Sequence, residues 1–425
     1  MGGGLAGLAA SAALAEAGHD VHLFESRNFL GGRATSWPVS GDNEVIDNCQ
    51  HVLIKCCHNL LDLYGRLGVG DKVEFHKEFV FMEPGGRTST LKRGIFPAPA
   101  HFLGSFLTLK FLNFSDKLSV ALATNAIPKE RHRKDLDRIS MLDWLHEKKQ
   151  SHTAIERYWR QILVSAINEE LDQMAASHGL QVFWLGMISR SDSYEMGLPS
   201  VPLRDLYDER TLAKLGVTLH PRAPVTAIET DGARIIGIVA GDQRHTADHY
   251  VSALPVDRVK QFLPSLPIDW DAFNHSPITG IHLWFDRPIT DLPHVTLLDR
   301  HIQWLFNKHE GRYLQLVVSA SRSMVDMSRQ AVIDLALREL ADFFPIVKQA
   351  KLEKAHVIKE IRATFSARPN LEALRPLAVT KFENFFLAGD WTRSGWPATM
   401  EGAVRSGYLA AEAVTGKSFL IPDIA

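Results

Sequence analysis

The spacing of apolar residues changes several times along the chain, and each change marks an element. Residues 5 to about 17 are small, apolar and alanine-rich, which predicts a helix that other elements can approach closely. Val21-His22-Leu23-Phe24 follows as a short strand. Residues 224–228 and 235–239 alternate around Asp231-Gly232 like a hairpin, and residues 247–255 read as a strand ending at a small-residue turn. Val332, Leu335, Ala336, Leu340 and Phe343 recur at helical spacing and predict a core-facing helix over 329–344. Near the end, Phe385-Phe386-Leu387-Ala388 predicts a buried strand, and a helix is expected to start at Thr399.

Composition narrows the class. The 425 residues carry 47 Lys+Arg against 49 Asp+Glu, a formal net charge of −2, without the basic excess of a nucleic-acid binder. At 45% hydrophobic and 23% charged, the chain is ordinary globular protein with length for two or three domains. The three cysteines, Cys49, Cys56 and Cys57, are too few for a disulfide framework, and no ligand spacing around them suggests a metal. A membrane-spanning run and a basic secretory leader are both missing from the sequence given. A reduced, cytoplasmic protein is expected.

Candidate chemistry lies at both ends. Gly2, Gly3, Gly4, Leu5, Ala6 and Gly7 form a dinucleotide-binding turn. Gly2 permits the tight turn, Gly4 lets the backbone approach a pyrophosphate, and Gly7 allows close helix packing. The helix start then offers free N–H groups and a positive dipole end to phosphate. Glu25, with Ser26 beside it, stands 18 residues beyond Gly7 at the end of the second strand, where it can accept from ribose hydroxyls. Such a turn ordinarily follows a central strand, whose loss would exceed a typical domain stability of about 5–15 kcal/mol, so a start several residues upstream of Met1 is expected. Gly32 and Arg33, in Leu30-Gly31-Gly32-Arg33-Ala34, can set a guanidinium on the diphosphate. At the far end, Gly389 and Asp390 place a carboxylate where it can hold a ribityl chain or phosphate-bound water. The helix at Thr399 and Met400 aims its dipole at an electron-rich acceptor such as a flavin ring.

Taken together, the glycine turn, Glu25, the Gly-Gly-Arg string, Val251-Ser252-Ala253-Leu254-Pro255 and the run from Leu387 to Gly407 resemble the FAD-dependent amine oxidase and phytoene desaturase superfamily. Four further strings resemble the squalene-associated FAD-dependent desaturases, the hydroxysqualene dehydroxylases of hopanoid synthesis. They are Asp47-Asn48-Cys49-Gln50-His51-Val52-Leu53, the run from Tyr158 to Asn168, His282-Leu283-Trp284-Phe285-Asp286-Arg287-Pro288, and Gln303-Trp304-Leu305-Phe306-Asn307. The resemblance implies an α/β protein with a discontinuous Rossmann-like FAD-binding domain over 1–60, 205–265 and 365–425. A mainly helical insertion over 61–204 and a β-rich, mixed-sheet insertion over 266–364 would face the substrate.

By resemblance, Gly2, Gly4, Gly7, Glu25, Gly32 and Arg33 hold the ADP half of FAD, and Val225 meets the adenine through its backbone. Gly389, Asp390, Thr399 and Met400 hold the flavin half. A C30 isoprenoid is the implied substrate, with an electron donor that the resemblance leaves unnamed. The implied reaction is reductive removal of the hydroxyl of hydroxysqualene, with Asp47 or His51 as the acid or its water relay. Of the six tryptophans Trp159, Trp184, Trp284, Trp304, Trp391 and Trp396, the last two are the preferred lining of an apolar tunnel. Residues 95–114, rich in Phe and Leu but broken by Pro97, Pro99 and Lys110, are expected to lie in a membrane interface at the inner face. The basic run 129–138 would then meet anionic headgroups. Carotenoid dehydrogenation is the alternative reaction. Amine oxidation fits less well, because Thr399 stands where related amine oxidases carry an aromatic residue. A non-catalytic FAD-binding scaffold is the remaining reading.

Overall fold

The first helix, Leu5–Glu16, is buried from Leu5 to Ala13 because its small side chains let neighbours reach the backbone. The last helix, Met400–Thr415, crosses it at Gly407, where a Cβ would lie 2.3 Å from the Ala6 carbonyl oxygen. Only a residue without a side chain permits that approach. The computed structural model describes residues 1–39 and 44–424.

Two pairs of parallel strands lie under these helices. Val21–Phe24 pairs with Val217–His220, and Tyr250–Ser252 pairs with Phe385–Leu387. Met1 and Gly2 lie between the pairs. The Gly2 N–H donates to the Phe24 carbonyl at 2.8 Å, and the Ala253 N–H donates to the Met1 carbonyl at 2.9 Å. The layer thus combines strands from three separated stretches of sequence, each too short to hold a sheet alone.

A second sheet has seven strands in the order Leu352–Phe365, His275–Phe285, Tyr313–Ser319, Trp304–His309, His294–Leu297, Glu78–Met82 and Thr88–Lys92. Its pairs are antiparallel except where Thr296 and Leu297 run parallel to Phe81 and Met82. Residues 78–92 fall within the stretch expected to be a helical insertion. They complete the sheet of the β-rich insertion instead, so the two insertions share one body rather than dividing at residue 266.

Alternation along these strands gives the sheet two different faces. Ile281, Leu283, Leu314, Leu316 and Val318 pack on Val332, Ala336, Leu340 and Phe343 of the helix Arg329–Phe343, with Leu335 partly buried beside them. The opposite face carries Gly280, His282, Gln315, Val317, Trp304, Phe306 and Lys308. It lies against residues 48 and 49: a Cβ on Gly280 would be 3.0 Å from the Asn48 carbonyl oxygen and 3.7 Å from Cys49 Cα. Among the described residues no helix is long and apolar enough to cross a membrane.

Candidate functional site

The glycine turn builds a backbone-lined cradle. Gly2 has φ +95°, and a Cβ on Gly7 would fall 1.9 Å from the Gly2 carbonyl oxygen. The Gly31 N–H donates to the Gly3 carbonyl at 2.9 Å, and Gly32, at φ +62°, has its Cβ position 3.0 Å from Gly4 Cα. No side chain caps the first helix, so its leading N–H groups and dipole face the cradle and favour an anion. Leu5 and Ala6 form its buried first turn.

Glu25 closes one side. Its Oε2 accepts from the Gly3 N–H at 2.7 Å, and its Oε1 accepts from the Ser26 hydroxyl at 3.0 Å and the Arg27 N–H at 2.8 Å. A carboxylate offers about four acceptor positions, so Glu25 fixes the cradle and keeps capacity for a ligand hydroxyl. The Ala223 N–H donates to the Glu25 carbonyl at 2.8 Å, which brings Val225, two residues on, to the same corner.

The two ends of the chain meet at Arg33. Its guanidinium pairs with the carboxylate of Asp390, 357 positions away. Although paired with Asp390, Arg33 keeps 44% of its side-chain surface open. Gly389, at φ +129°, donates its N–H to the Ser406 hydroxyl at 2.8 Å, which sets Asp390 against the last helix. Thr399 is the N-cap rather than the first helical residue: its Oγ1 accepts from the Gly402 N–H at 3.0 Å, and Met400 opens the helix.

Arg375, which no sequence motif marks, organises this loop. It is 1% exposed and donates to the carbonyls of Asp390 at 2.9 Å, Trp396 at 2.8 Å and Thr392, while pairing with Glu372. The one available signal is an arginine set among apolar neighbours, Leu374 and Leu377. Trp391 and Trp396, expected to line a tunnel, are engaged elsewhere. Trp391 donates to the Leu254 carbonyl at 3.1 Å and packs edge-on to Phe273. Trp396 donates to Asp423 at 3.0 Å under the Arg405 guanidinium. Both are core residues. Of the other indoles, Trp304 stands on the sheet face that meets residues 48–51, stacked on Phe306 and donating to Ser165 at 2.6 Å.

Asp47 and His51, the two expected acids, differ in what they can do. Asp47 Oδ1 accepts from the Ser36 hydroxyl at 2.7 Å and the Leu203 N–H at 3.0 Å, and Oδ2 lies 3.6 Å from Lys308 Nζ. These contacts anchor Asp47 to the Ser36 strand, the turn at Leu203 and the large sheet. His51 Nδ1 lies 3.0 Å from the Cys49 carbonyl oxygen. A carbonyl only accepts, so the ring proton sits on Nδ1 and Nε2 remains an acceptor. Burial lowers the His51 pKa and keeps the ring neutral. Burial, helped by Asp47, pushes the Cys49 thiol up to about 12, which leaves it inert. Lys308, also unsuspected from sequence, donates to Gln50 at 2.9 Å and holds this segment against the sheet.

These residues fit a flavin dinucleotide. The cradle admits backbone contact with a diphosphate, Arg33 keeps open surface for it, and the buried Asn48 Oδ1 and Ser252 hydroxyl lack protein partners. Among the described residues no group of His, Cys, Asp or Glu could hold a metal. A parallel layer with a glycine cradle at a helix start and an acid closing the strand Val21–Phe24 defines a dinucleotide-binding protein. The chain belongs to the flavin containing amine oxidoreductase family, whose model matches residues 5–415, and it is an FAD-dependent oxidoreductase.

Its sequence is 29% identical to the zeta-carotene desaturase of Synechocystis sp., over 97% of this chain and 96% of that protein. It is 26% identical to the 15-cis-phytoene desaturase of Synechococcus elongatus, over 98% and 95% of the two chains. An oxidoreductase from Methanosarcina mazei shares the fold at TM-score 0.72 and 18% identity, over 98% and 99% of the two chains.

Proposed function

We propose that this protein desaturates a long isoprenoid of the carotenoid-precursor type. The observation that carries the reading is His51, whose geometry provides a proton acceptor beside the site and no proton donor. Bound FAD supplies a two-electron acceptor for hydride. Dehydrogenation also leaves a proton to be removed from the adjoining carbon, and a neutral imidazole with a bare Nε2 does that work. Lys308, Gln50 and Asp47 hold the His51 segment in register with the sheet. Trp304, Phe306 and Val317 offer an apolar wall on the facing side. Carotenoid desaturases are similar to this chain along nearly its full length, which supports an isoprenoid as substrate. In this reading Gly2–Gly7, Glu25, Ser26, Gly32, Arg33 and Val225 hold the ADP half, and Gly389, Asp390, Thr399 and Met400 hold the flavin half.

A second reading, reductive dehydroxylation of hydroxysqualene, keeps the support of the four strings from Asp47 to Asn307. It requires an acid for the departing hydroxyl, whereas Asp47 is engaged by Ser36, Leu203 and Lys308 and the Nδ1 proton of His51 is directed at the Cys49 carbonyl.

Anaerobic mixing of the FAD-loaded protein with phytoene or ζ-carotene separates the two. Bleaching of the flavin absorbance, with a product of longer conjugation, is the expected result, and His51→Gln should slow it by about 10²–10⁴-fold. Flavin untouched by either hydrocarbon, together with conversion of hydroxysqualene to squalene by the reduced protein, would replace the first reading with the second.

A further inference from the structure

We propose that Glu401 is a buried negative charge in the first turn of the last helix that lowers the reduction potential of the flavin held at that helix start. Glu401 is the second residue of Met400–Thr415 and is 1% exposed. A carboxylate taken out of water needs donors around it, and this one has three. Its Oε1 accepts from the Asn59 N–H at 3.2 Å and from the Asn59 side-chain amide at 2.8 Å, and its Oε2 accepts from the Leu60 N–H at 2.7 Å. Both backbone donors belong to the first turn of the helix His58–Arg66, whose N-cap, Cys57, offers it no side-chain bond. Glu401 thus caps that helix from 341 and 342 positions away. The same contacts fasten the helix that follows the His51 segment to the last helix. In its own helix the Gly402 N–H is capped by Thr399 instead.

The consequence is electrostatic. Burial pushes the Glu401 carboxyl upward, while the Asn59 and Leu60 donors and the Arg405 guanidinium pull it back and favour the charged form. Arg405, one turn on, has Nη1 3.8 Å from Glu401 Oε1 but directs its hydrogen bonds to the Ser394 carbonyl at 3.1 Å and to Asp423 at 2.9 Å. A helix start presents about half a positive charge, and reduction adds negative charge to a flavin ring. A full negative charge in the same turn opposes that partial positive charge, in a buried place where solvent screens it little. Glu401 therefore disfavours the uptake of electrons there and favours their onward transfer. This role rests on the reading that Thr399 and Met400 hold the flavin half.

The test is the midpoint potential of the FAD-loaded protein, titrated by flavin absorbance at neutral pH. Glu401→Gln should favour two-electron reduction by about tenfold, an upward shift of about 30 mV. Arg405→Gln, which removes the cation beside the same carboxylate, should shift the potential downward. Loss of packing alone does not produce shifts of opposite sign. A potential that Glu401→Gln leaves unmoved, or that both variants shift in one direction, overturns the proposal. If Glu401→Gln does not fold with its flavin, Arg405→Gln decides: a lowered potential supports the proposal, and an unchanged or raised one overturns it. Thr399→Asp, which keeps an N-cap and adds a negative charge at the helix start, reports on the placement of the flavin. A potential lowered by Thr399→Asp but unmoved by Glu401→Gln overturns the role of Glu401 alone. No shift in any of the three variants overturns the placement of the flavin half as well.

Discussion

A guanidinium taken out of water is tolerated only where its donors find acceptors, and Arg375 finds them in the carbonyls of Asp390, Thr392 and Trp396. Removing it leaves those carbonyls and the Glu372 carboxylate without their donor. Arg375→Met is predicted to cost about 3–5 kcal/mol in urea unfolding and to lower flavin content, because the loop it holds carries Asp390. A variant that unfolds and retains flavin like the wild type would contradict this. His51 gives a second prediction. Its acceptor form is the deprotonated one, and burial moves its pKa below the ordinary 6.5. As pH falls, the acidic loss of kcat/KM should therefore begin below pH 6.5 rather than at it, and should disappear in His51→Gln. The residues legible in sequence were those of a local string: Gly2 to Gly7, Glu25 and Asp390. Lys308 was not, since it matters through a contact with Gln50 made 258 positions away, and Arg375 was not, since it acts on backbone carbonyls of a loop 15 to 21 positions on, which no side-chain pattern reveals. An indole shows its presence in sequence but not its direction, and Trp391 and Trp396 point into the core.

At the scale of elements, the close approach of the first and last helices rests on Gly407. A Cβ there meets the Ala6 carbonyl oxygen at 2.3 Å and the Ala10 nitrogen at 2.9 Å, both backbone atoms that cannot swing aside. Gly407→Ala is predicted to destabilise by about 1–3 kcal/mol, read as a lowered Tm. An unchanged Tm would mean that the helices separate freely. The helices and short strands themselves were legible because period and turn chemistry agree. Strand order was less so. Residues 78–92 join the large sheet through a parallel pairing of Thr296 with Phe81, more than 200 positions apart, and no local pattern encodes such a neighbour.

Across the whole molecule, burial holds several histidines neutral. His178 and His282 are pushed down to about 3 and His294 to about 4, chiefly by loss of water. Below pH 6.5 the unfolded chain takes up these protons while the folded chain refuses them. Stability is thus fully present above that pH and lost as pH falls towards those lower values, by up to roughly 1.4 kcal/mol per pH unit for each imidazole. Urea unfolding between pH 7 and pH 4 should show that decline, and a flat profile would contradict it.

The central claim is that the two ends of the chain hold one FAD between them, at the Gly4 cradle and at Asp390. FAD stoichiometry and dissociation constant in the wild type, Gly4→Val and Asp390→Ala test it most directly. A Cβ on Gly4 meets nothing nearer than 3.7 Å, so the added side chain starts in open space at the cradle. One FAD per chain is predicted for the wild type, with binding weakened by about tenfold or more in each variant. Wild-type affinity retained in both variants would contradict it.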